Sequence, residues 1–116
     1  MSRVPNPAGS GRVVSQFAND PEMAELVELF VTELPTRVNA LQAAWHAGRI
    51  ADLARLAHQL KGSSAGYGFS SIGDAAGALE GKLLSLRDSE SEAAIDGLSA
   101  EFRKLVDLCA RASAGR

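Results

Sequence analysis

A chain of 116 residues with 46% hydrophobic and 22% charged side chains amounts to one soluble globular domain, long enough to bury a core without disulfides or metal. A formal net charge of −2 and a pI near 5.6 give nucleic acid no electrostatic footing, and a single cysteine, Cys109, excludes an internal disulfide. No apolar run approaches the roughly 18 residues of a membrane span and no signal-peptide core precedes the body, so the expectation is a cytoplasmic protein with no membrane partner.

Residues 1–13 (MSRVPNPAGSGRV) are rich in Pro, Gly and Ser and read as a flexible tail. Val14 and Phe17 then form a short lead-in. Asp20-Pro21-Glu22 carries the marks of a helix start: an N-cap aspartate, proline at the first helical position and acid in the first turn. Met23, Leu26, Val27, Phe30, Val31 and Leu34 follow at helical spacing. Pro35 predicts a kink or a split into two abutting helices, yet the stripe continues in phase through Val38, Leu41 and Trp45 to a stop near Gly48.

The next helix is expected from Ile50 to Tyr67, with GYGF as its closing turn. Another begins at Ser70 or Ser71, where Ser71 and Asp74 resemble a capping box, and carries Ile72, Ala75, Ala76, Leu79, Leu83 and Leu86. RDSESE reads as a polar loop holding a second box, Ser89 with Glu92. The last helix carries Ile95, Leu98, Phe102, Leu105, Val106 and Cys109. With no proline beyond residue 35, the chain is all-α. Amphipathic helices joined by short polar loops predict an antiparallel four-helix bundle over residues 14–112, with 113–116 as a C-terminal tail.

The stretch AHQLKGSSAGYGF, residues 57–69, contains a conflict. Gly62 and Gly66 interrupt a helical pattern at about 1 kcal/mol each relative to alanine. At about 100° per residue, Leu53, Leu56, Ala57, Leu60, Ser64 and Tyr67 form the core stripe, and His58 lies roughly 150° from its centre. His58 therefore faces outward, with Ala51, Ala54, Arg55, Gln59, Lys61, Gly62, Ala65 and Gly66 as the surrounding face. Small residues there do nothing for helix stability, but they let a large partner approach the imidazole.

Imidazole is largely neutral near pH 7 and is then a competent nucleophile. Attack on phosphorus yields a phosphohistidine, and the Lys61 ammonium offsets the arriving negative charge. An exposed histidine taken alone is an ordinary surface residue, as a lone lysine would be. The fixed offsets of Leu60, Lys61, Gly62 and Gly68 from His58 are what raise this one above that background. His46 has no such neighbours and reads as a structural residue at a helix C-terminus. Gly68 reads as a left-handed cap, Gly66 as a site of close packing or partner approach, and Cys109 as a small core residue.

Other chemistries find little support. KGSSAGYG does not have the order of a nucleotide phosphate loop, and there is no kinase glycine loop or catalytic-loop pattern. Two histidines and one cysteine make no zinc site without carboxylates. No metal or other cofactor is expected.

The residues resemble the histidine phosphotransfer (HPt) domain of bacterial multistep phosphorelays. The H-x-L-K-G-S/A run followed by an apolar residue and glycine is matched by His58, Leu60, Lys61, Gly62, Ser63, Tyr67 and Gly68. The family's A-x-x-L-E appears as Ala76, Leu79 and Glu80, and the upstream D-P-E is also present, so the likeness spans roughly residues 14–112. Tyr67 and the glycine-rich SSAGYGF depart from the usual pattern; Tyr67 falls on the buried stripe, which suggests a packing variant.

The resemblance implies a four-helix bundle whose exposed histidine, here His58, exchanges a phosphoryl group with receiver-domain aspartates. It also implies that the chain has no ATP site or kinase activity, its partners being receiver domains of response regulators or hybrid kinases. The expected protein is a stand-alone, monomeric carrier. The rival from another class is a non-catalytic helical adaptor that binds and inhibits a receiver or kinase; an intact His58 argues against it.

Overall fold

The computed structural model describes residues 11–86 and 95–114. Four helices, α1 (Ala24–His46), α2 (Ile50–Gly66), α3 (Ser70–Leu86) and α4 (Ser99–Ala110), pack around one core. Connections of three residues between α1, α2 and α3 force neighbours to run antiparallel. Ring contacts fit that sense: Phe30 near the start of α1 stacks on Tyr67 after α2, centroids 5.2 Å apart. Trp45 at the end of α1 stacks on Phe102 at the start of α4, at 4.3 Å.

α1 begins at Ala24 rather than at Pro21. Asp20 does act as a cap, but of the preceding turn: its Oδ1 accepts the Glu22 N–H at 2.9 Å, and its carbonyl accepts the Met23 N–H at 3.0 Å. The split expected at Pro35 does not occur, because one helix runs through it. Proline inside a helix costs about 3 kcal/mol. Burying Val27, Phe30 and Leu34 before it and Leu41 and Ala44 after it on one continuous face more than offsets that. Leu26, expected in the core stripe, lies at its edge and is 44% exposed.

α2 stops one residue before Tyr67, and Gly68 (φ +86°) reverses the chain. The Phe69 N–H donates to Ser64 O at 2.8 Å, closing the helix end. α3 then starts at Ser70, so Ser71 is already inside the helix and cannot be its N-cap as the expected capping box required. The RDSESE loop and the Ser89–Glu92 box lie outside the described residues. Ile95 and Leu98 are buried ahead of α4. Lys82 Nζ donates to Glu101 Oε2 at 2.7 Å, tying α3 to α4 and holding the Glu101 carboxyl below the usual carboxylate range. Cys109 is buried, which pushes its thiol from the ordinary 9.0 to about 12.

Residues 11–14 and 111–113 meet outside the helices. β1 (Val13–Val14) pairs in parallel with β2 (Ala112–Ser113), and Arg111 Nη1 donates to Gly11 O at 2.9 Å. Val13, expected in the N-terminal tail, thus pairs with Ala112, and Ser113, expected in the C-terminal tail, pairs with Val14 and accepts a hydrogen bond from Arg12 Nη1 at 3.4 Å. The lead-in then crosses the α2–α3 turn. Ser15, which is buried, donates its Oγ–H to Tyr67 O at 2.6 Å and accepts the Phe17 N–H at 2.9 Å. The Gln16 N–H reaches Gly68 O at 2.8 Å.

Candidate functional site: the His58 face of the bundle

α2 packs far more extensively on α3 than on α1, and this rotates its buried face. Ile50, Leu53, Ala54, Ala57, Leu60 and Ser64 form the buried set, while Leu56 and Tyr67 are only partly covered. His58 then lies about 110° from the centre of the stripe at 100° per residue, on the flank beside α3 rather than opposite the core. Its side chain is 69% exposed.

α3 approaches α2 closely at Gly73, where an added Cβ would sit 3.4 Å from Lys61 O and 3.7 Å from Ala65 N, at van der Waals contact with the α2 backbone. That proximity carries Glu80 to His58. His58 Nδ1 lies 2.9 Å from Glu80 Oε2, and Lys61 Nζ lies 3.9 Å from Glu80 Oε1. The Glu80 side chain is only 16% exposed, and it reaches both the His58 imidazole and the Lys61 ammonium.

This geometry decides the tautomer. An ionised carboxylate only accepts hydrogen bonds, so the proton is on Nδ1. In the neutral ring the Nε2 lone pair is then unprotonated and free of that bond. Glu80 therefore orients the imidazole and leaves Nε2 as the ring nitrogen with the free lone pair.

His58 borders an open cleft of about 400 Å³ between α2 and α3, lined also by Ala51, Ala54, Arg55, Glu80 and Leu84. Ala51, Gln59, Gly62, Ala65 and Gly66 are exposed, as the sequence predicts. Ala54 is a correction: it is 5% exposed because the rotation of α2 turns it into the α3 seam, where it lines the cleft without forming an outer surface. Arg55 is not a free cation either, since Asp52 Oδ1 lies 3.8 Å from its Nη2. A Cβ at Gly62 or at Gly66 would meet nothing within 4 Å, so neither glycine serves packing within the described bundle. His46 is exposed in the last turn of α1.

Two contributors escape the sequence reading. Glu80 belongs to the quoted A-x-x-L-E run but has no assigned contact there, and Leu84, one turn further along α3, lies off its core stripe. That i, i+4 pair of non-core residues on one helix was the available signal. Among the described residues no cluster of His, Cys, Asp and Glu could hold a metal ion, and no helix is long and apolar enough to cross a membrane.

A family model, described as the Hpt domain, matches residues 25–115. No curated protein and no solved structure matches the chain significantly.

Proposed function

The chain belongs to the Hpt domain family, whose helical bundles serve phosphotransfer in two-component signalling, and within that family we propose that it relays a phosphoryl group between receiver aspartates through His58. The observation that carries this reading is the Glu80 carboxylate on Nδ1, 2.9 Å away, which leaves Nε2 as the nucleophile on an exposed ring.

In the forward step the Nε2 lone pair attacks the phosphorus of a receiver's aspartyl phosphate. The P–N bond forms as the P–O bond to the aspartate breaks, and its electron pair leaves on the carboxylate oxygen. The ring, still protonated on Nδ1, gains positive charge, which Glu80 faces; the phosphoryl oxygens bring negative charge, which Lys61 is near enough to offset. Transfer onward to a second receiver reverses these changes. The phosphoryl group comes from one partner protein and goes to another, so the chain needs neither ATP nor a kinase site. Receiver domains, a monomeric carrier and a cytoplasmic setting complete the proposal. Ala51, Arg55, Gln59, Gly62, Ala65 and Gly66 form the surface offered to the partner.

The test is incubation with a phosphorylated receiver. The protein should acquire an acid-labile, base-stable phosphate, and His58→Gln should acquire none. Label that persists in His58→Gln, or that maps to His46, would rule the assignment out.

A further inference from the structure

Lys61 does not leave α2 as a free surface side chain. A Cβ built on Gly77 of α3 would lie 3.3 Å from Lys61 Cδ, 3.5 Å from Cε and 3.8 Å from Cγ. Three successive carbons of the lysine stem therefore lie across bare backbone at Gly77. The ammonium continues to Glu80 Oε1, 3.9 Å away. Gly81, one turn further on the same helix, has nothing within 4 Å of its added Cβ, so the contact is particular to Gly77. A long ammonium side chain in water samples many rotamers, and laying its methylenes along an apolar surface removes much of that freedom before any ligand arrives.

We propose that Gly77 is a positioning residue for Lys61: the side chain it lacks is the seat that holds the lysine stem, so that the ammonium stands beside the His58–Glu80 pair in advance of the phosphoryl group. A methyl group at 77 would force the stem outward by a few tenths of an ångström, and a larger side chain would occupy the seat. The functional half of this inference rests on the phosphotransfer reading of His58. The seat itself does not.

Transfer from a phosphorylated receiver should slow several-fold in Gly77→Ala and further in Gly77→Leu, while Gly81→Ala transfers as the unmodified protein does. Both changes at 77 introduce better helix formers, so the melting temperature should hold or rise. In a Lys61→Ala background the substitutions at 77 should change nothing more, which a merely structural role would not produce. Wild-type transfer in Gly77→Leu, or a loss at 77 that persists in full without Lys61, would overturn the proposal. The seat is also read in the unmodified protein by nuclear Overhauser contacts between the Lys61 methylenes and the Gly77 α-protons; their absence overturns it without any variant needing to fold. Label that survives His58→Gln defeats the phosphotransfer reading and leaves those contacts to judge the seat alone.

Discussion

At His58 the relevant asymmetry lies between the two ring nitrogens, and one carboxylate creates it. On the proposed function, Gly62, one turn along α2, sets how closely a partner can come to the free one. Because its added Cβ would meet nothing, a side chain at 62 can only project into the space a partner would use. Gly62→Gln should therefore hold or raise stability, by up to about 1 kcal/mol from helix propensity, while phosphotransfer falls strongly. Thermal melts and transfer rates on the same preparation check both halves. An earlier melt would assign Gly62 to packing, and undiminished transfer would remove access as its reason.

Among the elements, the lead-in before α1 does more than its composition suggests. It closes over the α2–α3 turn through Ser15 and Gln16, and that turn holds α2 and α3 in the register that brings Glu80 to His58. Gly68 is its tightest point. Its φ of +86° disfavours any L side chain, and a Cβ there would lie 2.5 Å from Ser15 Oγ and 2.8 Å from the Phe17 ring. Gly68→Ala should cost on the order of 1–3 kcal/mol, read as a lower urea midpoint. An unchanged midpoint would mean that the lead-in yields without loss and does not hold the turn.

For the whole molecule the question is how a receiver seats itself. The proposed surface runs along α2 from Ala51 to Gly66 and takes in Glu80 and Leu84 across the cleft. Its cations are partly spoken for, Arg55 by Asp52 and Lys61 by Glu80. The exposed Arg55–Asp52 pair contributes little and opens readily, so a receiver's acidic pocket can compete for Arg55. Fast turnover suits a modest interface with micromolar affinity. Arg55→Ala should weaken association slightly and flatten its salt dependence. In an NMR titration with a receiver, shifts should centre on residues 51–66 with 80 and 84. Shifts confined to α4 would favour an adaptor that merely binds.

Much of this was legible in the residues themselves. Helical periodicity located α1, α2 and α3 to within a few residues, because burying one apolar face is a local, repetitive demand on sequence, whereas α4 starts only at Ser99, after the Ile95 and Leu98 expected in the same helix. The offsets of Leu60, Lys61 and Gly62 singled out His58, since a helix converts fixed spacing into a shared face. The rest depended on how strongly each pair of helices packs. α2 leans on α3, and that lean buries Ala54, moves His58 to the seam and places Glu80 on Nδ1. Pro35 likewise stays inside an unbroken helix, because the burial of α1 on both sides of it outweighs a local break. Spacing along one helix orders residues around its own axis, but only the neighbouring helix determines which part of that circle is inside.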